Sequence, residues 1–136
     1  MATTMTDENV VKSVAEKTAR VVAERDLDAL RELYTPDAII WHNFDDKEKT
    51  VEESVEATAA QLALSTELWF EEQKLTPTPT GYIDQHYACV KLTSGEQVRV
   101  PTCAVVTLEG DRIKRFNEYV ELGPLAPAIA ALSEGE

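Results

Sequence analysis

Cysteine is nearly absent from this sequence, with only Cys89 and Cys103 among 136 residues. Two cysteines exclude a disulfide scaffold, and their spacing matches no zinc-ligand pattern, so no metal site is expected. Glycine (5) and proline (6) are sparse, which excludes collagen-like and low-complexity chains. Long apolar runs are missing too. No stretch approaches the roughly eighteen residues that crossing a bilayer requires. The first twenty residues carry Asp7, Glu8 and Glu16 where a signal peptide needs an apolar core, so the expectation is a cytoplasmic protein with no membrane partner. Positive charge is in short supply: 13 Lys and Arg against 25 Asp and Glu give a net charge of -12. Without a basic cluster, phosphate backbones and anionic surfaces are repelled, which excludes nucleic acid as a partner. What is present is ordinary for a globular chain. Hydrophobic residues make up 43% of it, enough for one core in one domain spanning residues 1–136.

Helical periodicity runs from Thr6 to Arg25, where Val10, Val11, Val14, Val21 and Val22 share a face behind a Thr6 cap. Asp26 caps a second, short helix carrying Leu27, Leu30, Leu33 and Tyr34, and Pro36 stops it. Ala38 to His42 reads as a strand and Phe44 to Lys49 as a polar loop. Thr50 and Glu53 then form a capping box for a third helix ending near Ala63. Four strands follow, Thr66 to Thr76, Tyr82 to Thr93, Glu96 to Leu108 and Arg112 to Leu122. Helices first and an antiparallel sheet afterwards predict an α+β domain whose core covers about residues 6–122, with helices packed on one face of a curved sheet. The tail, 123–136, holds Pro124, Pro127 and an apolar turn from Ala128 to Leu132.

Turn chemistry sets an expected register. A two-residue turn at Ser94-Gly95 places His86 opposite Cys103, and another at Gly110-Asp111 places Glu118 opposite Cys103 from the other side. His86, Cys103 and Glu118 then form a polar row on an otherwise apolar face with Phe116 beside it, and Cys89 points to the opposite side. Titratable groups on an apolar face mark a candidate site, because buried charge is costly without a partner.

The segments "RDLDALRELYTPDAIIWHN" and "GDRIKRFNEYVEL", in this order of elements, resemble the SnoaL-like branch of the nuclear transport factor 2-like superfamily over about residues 6–122. The resemblance implies a cone-shaped α+β fold, with three helices from the N-terminal half covering a curved antiparallel or mixed sheet around a pocket. It also implies a homodimer formed through the outer face of the sheet. Against ketosteroid isomerases, "YTPDAIIWH" and "VPTC" put His42 at the base position, Cys103 at the second acid and Thr18 near the tyrosine. Against limonene epoxide hydrolase, "WHN" is similar to its Tyr-x-Asn, and "NEYVEL" puts Glu118 in place of the water-activating acid. The remaining members of that constellation fall on the strand holding Asp84 and His86. The two comparisons differ on whether His42 or Asn43 faces inward, since neighbouring strand residues point to opposite sides.

The expected site therefore has His42, Glu118 and His86 as acid/base groups, with Asn43, Trp41, Tyr34, Cys103 and Phe116 contacting the ligand. Imidazole and carboxylate side by side are the chemistry of proton transfer near neutral pH. The expected function is a cofactor-free acid/base enzyme of isomerase, hydrolase, hydratase or cyclase type, acting on a compact, mostly apolar organic molecule. The alternatives are a ligand-binding protein without turnover and a dimeric interaction module.

Overall fold

A computed structural model describes residues 3–126, so the apolar turn expected at Ala128 to Leu132 lies outside the described residues. The chain runs α1 (Glu8–Glu24), α2 (Leu27–Glu32), β1 (Tyr34–His42), β2 (Lys47–Lys49), α3 (Val51–Leu62), β3 (Ser65–Thr78), β4 (Gly81–Leu92), β5 (Gln97–Glu109), β6 (Arg112–Val120) and a short 3-10 turn at Gly123–Leu125. The helix starts are set locally. The side chains of Asp7, Asp26 and Thr50 accept from backbone amides of the first turns, and Glu53 returns the bond to Thr50, completing the capping box. Among the described residues no helix is long and apolar enough to cross a membrane.

The sheet is curved, unclosed and mixed, ordered β2-β1-β6-β5-β4-β3. All neighbours are antiparallel except β1 and β6, which run parallel. Helices cover its inner face. Val11, Val14, Ala15 and Val21 of α1, Leu30 of α2 and Val55 of α3 pack with Ile40, Tyr82, Ala104, Val106 and Ile113 from the strands. Full burial of each large aliphatic chain stabilises the fold by about 1.5–3 kcal/mol, so this apolar layer holds helices to sheet. The expected loop before α3 contains the three-residue edge strand β2, and β1 begins four residues earlier than expected, at Tyr34.

Two local features correct the expected register. The β4–β5 connection is a three-residue loop, Thr93-Ser94-Gly95, closed by Gly95 N–H donating to Leu92 C=O at 2.8 Å and by Leu92 N–H donating to Glu96 C=O at 2.8 Å. Gly95 sits at φ 91°, the left-handed position such loops require. The β5–β6 turn has two residues, Gly110-Asp111, as expected, with Glu109 opposite Arg112. A bulge follows: Thr107 pairs with Arg115 and Leu108 with Ile113, leaving Lys114 as the extra residue. His86 therefore faces Thr102, and Glu118 faces Ala104. Cys103 pairs with Gln85 and Tyr119 between the inward-facing Thr102 and Ala104, so it lies on the outer face and the row built around it does not exist.

Candidate active site

The inner face carries two histidine–carboxylate pairs. The first joins the ends of two parallel strands. His42, last residue of β1, lies beside Glu118 of β6, with His42 Nε2 3.2 Å from Glu118 Oε1. Their side chains are 18% and 22% exposed, open enough to meet a ligand. Phe44 stacks on the His42 ring at 4.9 Å between centroids. Among the described residues, His42 Nδ1 is buried without a hydrogen-bond partner. A buried unpaired polar atom is costly and uncommon away from functional sites.

Tyr34 opens β1, at the far end of the strand from His42 and opposite Ile113, and is buried in the core. Burial first, then the charge of Glu118 and the neighbouring Tyr82, push its hydroxyl well above the ordinary tyrosine range. It therefore remains a proton-bearing donor across the neutral range.

The second pair is local to β4. His86 Nδ1 lies 2.9 Å from Asp84 Oδ1, and the amide of Gln73 donates to Asp84 Oδ2 at 3.0 Å. Phe70 stacks on the His86 ring at 3.9 Å with 23° between planes. The side chains of His86 and Asp84 are only 3% and 7% exposed. Gln73 and Phe70 both reach this pair because β3 bulges between Glu71 and Lys74, where Glu72 adopts φ 53°. The hydroxyl of Tyr82, two residues before Asp84, is pushed upward by burial and by the Asp84 charge, with Thr18 opposing the shift.

The structure thus brings His42, Glu118, His86, Tyr34 and Phe116 to the inner face. It pairs His42 with Glu118 and His86 with Asp84, whereas sequence reasoning joined His86 to Glu118. His42 takes the inward position. Asn43 clasps the backbone of β6 instead, its amide donating to Val120 C=O at 3.2 Å while its oxygen accepts from Val120 N–H at 2.9 Å. Trp41 is on the outer face, its ring nitrogen donating to Asp46 and its edge against Tyr119. Gln73 was missed, and Asp84 entered only through the epoxide hydrolase resemblance, without being paired to His86. Residues 84 and 86 share a strand face by alternation alone, so Asp84 was readable from its spacing. Two surface depressions, one beside Lys47 and Glu53 and one beside Thr6 and Leu108, contain none of the paired groups. Among the described residues no three His, Cys, Asp or Glu side chains converge as metal ligands.

A helix-covered, strongly bent sheet with polar groups on its concave side defines the ketosteroid isomerase-like class of fold. Within that class the chain belongs to the SnoaL-like domain family, whose profile matches residues 15–116. Three solved structures illustrate the likeness. AclR from Streptomyces galilaeus, provisionally named a hydroxylase, has 11% identity and a TM-score of 0.79, covering 91% of this chain and 87% of that one. A provisionally named SnoaL-like polyketide cyclase from Shewanella putrefaciens has 13% identity and a TM-score of 0.74, covering 93% and 99%. A protein of ketosteroid isomerase-like fold from Catenulispora acidiphila, crystallised with trimethylamine, has 14% identity and a TM-score of 0.73, covering 82% and 87%. No curated protein matches the sequence.

Proposed function

We propose that the inner face of the sheet is an acid/base site for a compact, mostly apolar organic molecule, operating without a cofactor. The observation that carries this reading is the His42–Glu118 pair, 3.2 Å apart and partly exposed on the concave face that also carries the apolar core. Glu118 takes a proton from the substrate, His42 exchanges it, and Tyr34 supplies a protonated hydroxyl to developing negative charge. Apolar walls strengthen each interaction by excluding water. Isomerisation, ring closure and water addition or loss all begin with such a transfer. Similarity to proteins named as polyketide cyclases and isomerases supports this range.

The reading extends to a single cytoplasmic domain that forms a homodimer. Val105 and Tyr119, 40% and 47% exposed on the outer face beside Trp41 and Cys103, support a partner on that side. Turnover of small epoxides, enones and hydroxylated ketones by wild type and by Glu118→Gln tests the site. Loss of turnover on substitution is the expected result. Equal turnover by both forms overturns the reading, and tight binding without turnover in either form identifies a carrier.

A further inference from the structure

We infer that His86, held by Asp84 and Gln73, receives a hydroxyl of the bound molecule, so that the site is built for compact hydroxyketones. The inference rests on the acid/base reading of His42 and Glu118 and adds the second end of the substrate.

The contact with Asp84 selects the tautomer of the His86 ring. A carboxylate only accepts hydrogen bonds, so the Nδ1 that lies 2.9 Å from Asp84 Oδ1 carries the proton. In the neutral ring Nε2 then presents a lone pair, and it has no partner among the described residues. The other Asp84 oxygen is occupied by Gln73, and Phe70 fixes the ring plane. Glu72 holds a left-handed backbone, uncommon for a side chain of its kind, at the bulge that aims Gln73 inward. Packing alone does not call for this. Buried polar groups are often no more stabilising than apolar residues of the same volume. A carboxylate that fixes the tautomer of a histidine prepares the opposite nitrogen to accept a proton or a hydrogen bond. Asp84 and Gln73 are positioning residues, and His86 touches the ligand.

The register places this group relative to the first pair. Asp84 faces Ala104, and Ala104 faces Glu118, so the two pairs stand on strands flanking β5, about 10 Å apart at the backbone. Between them β5 offers only the short side chains of Ala104 and Thr102 to the inner face. A molecule spanning that gap offers an acidic C–H beside a carbonyl to Glu118 and a hydroxyl to His86 Nε2. At Glu118 the C–H bond breaks, its proton goes to the carboxylate, and its electron pair forms the enolate. The hydroxyl at His86 donates a hydrogen bond and breaks no bond. In D2O a deuteron from solvent returns to carbon through Glu118.

The test follows α-proton exchange of 4-hydroxycyclohexanone and of cyclohexanone in D2O by 1H NMR, alongside nitrogen NMR of 15N-histidine-labelled protein. Wild type is expected to exchange the hydroxyketone at least tenfold faster than the ketone, and Asp84→Asn and His86→Gln to bring that ratio below twofold. In wild type, where no variant has to fold, 4-hydroxycyclohexanone shifts the His86 Nε2 resonance and cyclohexanone leaves it in place. A wild-type ratio near one, or an Nε2 resonance unmoved by the hydroxyketone, overturns the assignment. Absence of exchange for both ketones with the Nε2 shift intact supports the hydroxyl site and overturns the acid/base role of Glu118.

Discussion

The two histidine–carboxylate pairs use the same groups in opposite ways. His42 and Glu118 come from strands 76 positions apart in the chain and meet only because β1 lies parallel to β6. Asp84 and His86 are two residues apart on one strand and meet by alternation. The first pair is partly open and leaves Nδ1 of His42 without a partner among the described residues. The second is closed and anchored from outside by Gln73 on the carboxylate and Phe70 on the imidazole. On the proposed reading one pair exchanges protons with what enters and the other holds a single orientation. The difference between them lies in exposure and in the number of fixed partners, not in chemical identity.

The largest expected effect separates the pairs by activity. Glu118→Gln keeps the shape of the side chain but removes its basicity, and should lower turnover by about 100-fold or more, measured as kcat on any substrate found in the screen. Stability separates them in the reverse direction. Asp84→Ala leaves a buried imidazole and the Gln73 amide unpaired and should cost about 2–3 kcal/mol in urea unfolding, whereas His42→Ala, in a more open position, should cost less. An equal loss at both sites would erase the distinction. Asn43→Ala removes the clasp on Val120 that keeps the ends of β1 and β6 in register; about 1 kcal/mol and a weaker His42–Glu118 contact are expected, the latter read from histidine chemical shifts.

Acid unfolding gives a smaller effect near the open pair. The Lys49 ammonium, hydrogen-bonded to Asp45, holds that carboxyl below its usual range, with a lesser contribution from His42. Because the folded-state value is the lower one, this stabilisation is complete above the ordinary carboxylate range and is lost as pH falls through the lowered value. Lys49→Met should therefore raise the midpoint of acid unfolding followed by circular dichroism. Smallest of all, Cys103→Ser on the outer face should change stability of the single chain by no more than about 0.5 kcal/mol and leave turnover unchanged.

The helices were legible because their signals are local: Thr50 and Glu53 mark the start of α3 three residues apart, and Asp26 marks α2. The Gly110-Asp111 turn was legible for the same reason. The site was less so. One additional loop residue, Thr93, and one bulged residue, Lys114, shift the pairing by a single step, and a single step exchanges the faces of a strand. Lys114 looks like any exposed lysine in the sequence. The parallel β1–β6 contact has no turn to announce it, so Glu118 was paired with His86 rather than with His42, and the choice between His42 and Asn43 as the inward residue stayed open.

The Lys114 bulge works within β6 like a change of reading frame. Before it, the inward residue is odd-numbered, Ile113; after it, the inward residues are even-numbered, Phe116 and Glu118. A search for related chains that demands strict alternation along this strand would discard them, and a designer who straightened it while keeping all its residues would export Glu118 to the outer surface. A pattern with a one-residue phase break between positions 113 and 116 is the form in which this site can be recognised elsewhere or transplanted.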